Sequence, residues 1–310
     1  MINFSLDKQL SILLPNTNKA LAEALKSALP QELASLSRQK DLGSILLSLF
    51  ERSSQNATQN ATLLELLKNN PTLKDLANIG TTLKNLQTLL SQETTSLPLE
   101  RVIKNTLSDI ANISEKELKS KLQNSGVFLE SNIKKNAQTP QLRELLSNDL
   151  KAVLLKTQEQ LTNATTQTAQ EIHKQVERLL LQIDYFQLSS HLGSGSSLYL
   201  PYSWDALEEG NLTLKKGKED SYFCDIELHL KEYGELSLRL GLFLGNQLSI
   251  NITTQNSELK ERIKEHLKEL KAALLHVGIT PLEIRFIDEK KESKYTDATQ
   301  NLAMGFEVKV

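Results

Sequence analysis

Residues 222–287 read YFCDIELHLKEYGELSLRLGLFLGNQLSINITTQNSELKERIKEHLKELKAALLHVGITPLEIRFI, and this stretch decides the fold of the C-terminal part of the chain. Three segments alternate apolar and polar residues with period two. They are Cys224, Ile226, Leu228 and Leu230; then Leu236, Leu238, Leu240, Leu242 and Leu244; then Leu248, Ile250 and Ile252. Successive side chains of a strand point to opposite faces, so each segment predicts a strand with one apolar face. Gly245-Asn246 separates the second from the third and predicts a two-residue hairpin loop, because glycine tolerates the positive φ of a primed turn.

The period then changes. Leu259, Ile263, Leu267, Leu270, Leu274 and Val277 recur at spacings of three and four and form the core stripe of an amphipathic helix. Asn256 or Ser257 caps its start, and Glu258 complements the positive end of the helix dipole. Gly278 fits the left-handed position that closes a helix, with Pro281 soon after to prevent continuation. Leu282, Ile284 and Phe286 alternate again. Strand, helix and strand joined by short connections predict a right-handed crossover and a parallel strand pair, with the helix on one sheet face. The fold class is therefore multidomain: a mostly α-helical N-terminal region with flexible linkers, then a compact α+β domain of antiparallel strands plus a β-α-β unit.

These residues resemble the C-terminal domain of the flagellar hook-length control proteins of bacteria. The family's strand-turn-strand pattern, LxPxxLGxVxV, falls on Leu228, Leu230, Tyr233, Gly234, Leu236 and Leu238. Its helix pattern, RxxLxxxLxxLRxxLxxxGL, falls on Lys260, Ile263, Leu267, Leu270, Lys271, Leu274, Gly278 and Ile279. Leu230 stands where the family has proline, Tyr233 where it has leucine, and lysine occupies both helix arginine positions. The resemblance covers residues 197–287 and places Gly234 in the turn between two strands.

The resemblance implies a cytoplasmic protein exported by the flagellar type III apparatus. Its N-terminal part would monitor hook growth. Its C-terminal domain would contact the cytoplasmic part of a membrane export-gate protein and switch export from hook to filament subunits. Hook or hook-cap subunits are further implied partners. As a ruler, about 180 helical residues reach roughly 270 Å, against roughly 600 Å fully extended, so reach depends on whether the region stays folded.

The chain has 310 residues, a length that predicts two domains. Its net charge of −2 argues against nucleic acid or an anionic membrane as partner. No run approaches the roughly 18 apolar residues that a membrane helix needs. The N-terminal MINFSLDKQLSILLPN lacks the basic region, apolar core and small-residue cleavage site of a secretory signal. The lone Cys224 rules out an intrachain disulfide or a multi-cysteine zinc site and reads as a small core hydrophobe.

Composition divides the chain. Residues 1–184 hold only Phe4, Phe50 and Phe128 of its aromatics. Region 1–192 is expected to be helical and partly flexible, with a thin core because large side chains are few. Helical periodicity covers 18–29 and 42–52, then 71–90 after Asn70-Pro71 and 98–111 after Pro98. Ser114 and Glu117 form a capping box for 115–123. A last helical region opens at Thr139-Pro140 and breaks near 162–168. The QNATQNAT repeat and TNATTQT have little to bury and read as flexible. Residues 193–196 form a Gly/Ser linker into the α+β domain at 197–287. The polar tail 288–310 ends in alternating Leu302, Met304, Phe306, Val308 and Val310. That pattern predicts either an added edge strand or a partner contact through Leu302, Met304, Phe306 and Val308.

The residue types of catalysis are present without the spacing of a site. His173, His191, His229, His266 and His276 include no HExxH pair. Gly193-Ser-Gly195 precedes a strand, whereas a phosphate loop joins a strand to a helix. Glu258, Glu261 and Glu265 pair along the helix with Arg262, Lys264 and Lys268, which describes a solvated face. The reading is thus no enzyme, no cofactor, no metal and no membrane insertion. The alternative is a non-flagellar interaction scaffold that shares only the C-terminal fold.

Overall fold

The computed structural model describes residues 60–61, 64, 75–92, 98–109, 113–136, 139–193, 195–200, 202–204, 206–218 and 220–287. The helices expected at 18–29 and 42–52 and the tail from 288 onward lie outside the described residues. The chain divides between Lys215 and Lys216 into two compact units.

In the first unit a 3₁₀ turn at Asp75–Ala77 leads into α1 (Ile79–Gln92), and α2 (Pro98–Thr106) opens on its proline. A two-residue strand β1 (Ser108–Asp109) follows, then α3 (Glu115–Gln123). The capping box of α3 is complete: the Ser114 hydroxyl accepts from the Glu117 N–H and the Glu117 carboxylate accepts from the Ser114 N–H. Next come α4 (Leu129–Asn136), α5 (Leu142–Asn148), α6 (Leu150–Leu161) and α7 (Gln167–Leu192). The helical region expected after Thr139-Pro140 therefore breaks twice. Besides the break around 162–166, the chain turns extended at Asp149, whose side chain caps α6 by accepting the Ala152 N–H at 3.1 Å. Short side chains with a free acceptor compete with the helix in this way.

Helix α7 spans about 39 Å at the helical rise and packs against α1, α6 and the strand β2 (Ser196–Tyr199). A two-residue β3 (Tyr202–Ser203) pairs in parallel with β1, and β4 (Leu207–Lys216) runs antiparallel to β2 with Leu212 opposite Leu198. The expectation of a thin core is corrected here. Leu86, Leu99, Ile103, Leu150, Leu154, Val176, Leu179, Ile183 and Leu188 are all fully buried. Leucine and isoleucine at helical spacing on α1, α2, α6 and α7 bury area through many neighbours, without needing rings. The few rings gather at the C-terminal end of α7, where Phe186 stands 5.5 Å from Tyr185 and 5.7 Å from Tyr199.

Gly193 and Gly195 sit in close quarters between α7 and β2. The Ser190 hydroxyl accepts from the Ser197 N–H at 2.8 Å, and Gly195 presses its backbone against Leu214, where a side chain has no room.

The second unit holds β5 (Tyr222–Leu230), β6 (Gly234–Phe243), β7 (Gln247–Thr254), α8 (Ser257–His276) and β8 (Thr280–Phe286). Strands β5, β6 and β7 form an antiparallel meander, and β8 lies parallel to β7 after the helical crossover. This is the strand-helix-strand arrangement that the change of period predicts. Asn256, not Ser257, caps α8, accepting the Leu259 N–H at 3.0 Å. Gly278, at φ +81°, ends the helix: its N–H reaches the Leu275 carbonyl while the Ile279 N–H reaches that of Leu274. These two bonds satisfy carbonyls that the helix end would otherwise orphan.

Candidate functional site

The strand register sorts the second unit into two faces. One row across the strands is Cys224, Leu240, Ile250 and Ile284, and the next is Ile226, Leu238, Ile252 and Phe286. The intervening row is Asp225, Arg239, Asn251 and Arg285. On this polar face Arg239 pairs with Asp225 at 2.8 Å, and the Arg285 Nε donates to Asn251 Oδ1 at 2.8 Å.

Helix α8 packs on β7 and β8 from the apolar side, with the Lys260 and Lys264 ammonium groups 5.4 and 5.8 Å from the Phe286 ring centre. A helix about 10 Å across cannot cover four strands spaced about 4.8 Å apart. Cys224, Ile226, Leu238, Leu240 and Leu242 consequently stay only half-buried. The helix shows the same shortfall. Of the expected core stripe, Leu259 is buried and Ile263, Leu267 and Leu274 are half-buried, while Leu270 is 37 % and Val277 69 % exposed. Val277 is the C-cap and has left the helical spiral, so periodicity overextends the stripe by one residue. The apolar side of β5–β6 and the middle of α8 are thus both left only partly covered.

The turn residues singled out in the sequence fall at strand ends. Gly234, at φ +73°, closes the β5–β6 hairpin opposite Leu230. The β6–β7 loop holds Leu244, Gly245 and Asn246 between the paired Phe243 and Gln247, one residue longer than the sequence suggests. Positive φ falls on Leu244 (+50°) and Gly245 (+81°). The period-two pattern counts Leu244 as strand, but it is 75 % exposed and belongs to the turn. Leu302, Met304, Phe306 and Val308 lie outside the described residues.

Ionisable groups on this unit are arranged as surface pairs. Arg262 meets Glu258 at 3.1 Å, Lys264 meets Glu261 at 2.6 Å, and His266 meets Glu269 at 2.9 Å. Burial, reinforced by the Asp225 charge, pushes the Cys224 thiol up to about 11, which suppresses the reactive thiolate at neutral pH. Among the described residues no cluster of His, Cys, Asp and Glu could hold a metal ion, and no helix is long and apolar enough to cross a membrane.

Sequence reasoning missed a charged cluster in the first unit. Lys151 on α6 has no exposed side-chain surface. Its ammonium lies 2.7 Å from Glu130 of α4 and 3.0 Å from Asp184 of α7. It also donates to Gln187 at 2.6 Å. Gly126, at φ +87°, lets the α3–α4 connection approach the Lys151 backbone and Cβ more closely than any side chain would permit. The one hint in the sequence is that Lys151 and Asp184 interrupt apolar stripes; nothing in the linear order says that they meet.

The second unit is thus an α+β domain of a meander and a crossover helix that leaves apolar side chains partly covered. Residues 212–293 match the model of the family described as flagellar hook-length control protein FliK, so this stretch is similar to that family. No curated protein and no solved structure matches the chain.

Proposed function

We propose that this chain controls flagellar hook length: the flagellar type III apparatus exports it, and its second unit switches export specificity from hook to filament subunits. The family of the second unit supports the flagellar role. The observation that carries the switching role is the apolar area left only partly covered on β5–β6 and on the middle of α8. Apolar area left uncovered on an otherwise charged unit marks a contact surface for another protein. In this reading the partner is the cytoplasmic part of the export-gate protein, with hook or hook-cap subunits met during growth. The unit acts by binding and needs neither cofactor nor catalysis.

Deleting residues 216–310 tests the proposal. Cells carrying the truncated chain should still export it and should build overlong hooks without filaments. Normal hooks with filaments would remove the switching role. That result would favour the second reading, an interaction scaffold with only a shared C-terminal fold, which the unmatched residues before 212 support.

A further inference from the structure

The first unit contains a group that neither its fold nor its proposed role explains. Asp149 sits fully buried at the start of α6. Its Oδ1 caps the helix, and its Oδ2 has no hydrogen-bond partner among the described residues. The charged and titratable groups around it come from several elements. Lys151 is on the same helix, Glu130 reaches in from α4, Asp184 from α7 and the Tyr199 phenol from β2. Arg143 and Glu144 on α5 point away into solvent. Lys151 already serves Glu130 and Asp184, so an ionised Asp149 adds a third negative charge to a cluster with one cation. Burial, and secondarily the Asp149 charge, also raises the Tyr199 phenol above its ordinary range, so its hydroxyl stays neutral and donates to the Ser125 carbonyl at 2.9 Å.

We propose that Asp149 and its neighbours form a pH latch in the first unit, which holds α4, α6, α7 and β2 together when Asp149 carries a proton and loosens when it ionises. Burial raises the Asp149 carboxyl to about 7, with the Glu130 charge adding to the rise and the Ala152 N–H and Lys151 opposing it. A carboxyl raised in the folded state binds its proton more tightly there than in the unfolded chain. Its stabilising contribution is therefore complete below the unfolded value of about 4 and is lost as pH rises through about 7. One linked proton changes the unfolding equilibrium about tenfold per pH unit within that window. The latch stands independently of the flagellar reading, since it concerns only the folding of residues up to 215.

The test uses the full chain and its sole tryptophan, Trp204, which lies in the first unit and reports its unfolding in urea. Asp149→Asn keeps the capping oxygen and removes the titration. The wild-type midpoint should fall from pH 5 to pH 8. The Asn variant should match the wild type only near pH 4 and exceed it increasingly above, until at pH 8 its unfolding constant is lower by well over tenfold. Asp149→Ala, which loses the cap as well, should fall below the Asn variant at both values. Wild-type and Asn curves that run parallel across this range would overturn the latch, whatever the Ala variant does.

Discussion

The helical core of the first unit and the open sheet of the second invert what their compositions suggest. The first unit has few aromatics before Tyr185, yet Leu86, Leu99, Ile103, Leu150, Leu154 and Ile183 are completely buried. The second has alternating apolar residues on every strand, yet among its described apolar side chains only Leu230, Leu236, Ile250, Ile252 and Leu259 are buried. Burial depends on how many elements surround a residue, not on how large its own side chain is. Helix α7 has neighbours on several sides, whereas the sheet of the second unit meets one helix on its apolar face. The first unit is packed closed, and the half-closed packing of the second leaves apolar area uncovered.

The sharpest way to break this comparison is Lys151→Ala. It leaves Glu130 and Asp184 without their cation in a closed core, and such a loss costs about 3–5 kcal/mol. The Trp204 urea transition of the full chain should move to markedly lower urea. An unmoved transition would mean that water reaches the cluster and that the core is not closed.

Matched leucine truncations come next. Leu86→Ala in the first unit should cost about 2–5 kcal/mol because its cavity has no way to collapse. Leu270→Ala in the second should cost less than about 1 kcal/mol, since much of that side chain already faces water. Hydrogen exchange resolved by peptide reads both units in one sample. Equal losses of protection would show that this face of α8 is covered in solution.

The smallest expected effect is a gain. Leu244 adopts a left-handed conformation that costs a non-glycine residue about 1 kcal/mol, and it is 75 % exposed, which leaves little burial to offset this. Leu244→Gly should therefore slow exchange along β6 and β7 or leave it unchanged. Faster exchange there would give the Leu244 side chain a packing role that its exposure denies.

The local features were legible in the linear order. Strands at Cys224–Leu230 and Leu248–Ile252, the strand from Leu236 that periodicity carries to Leu244, one residue past its end, the helix from Ser257, its glycine stop and the Ser114–Glu117 capping box all follow from residues within a few positions of one another. Periodicity and capping are near-neighbour effects, so the sequence alone determined them, and it also pointed to the family of the second unit. Only the tertiary structure decided how far Leu270 and Val277 would be covered, that Gly195 packs tightly, and that Lys151, Glu130, Asp184 and Asp149 converge. Those outcomes depend on which distant elements surround a residue, because the electrostatic and desolvation energies involved exist only once such elements exclude water together.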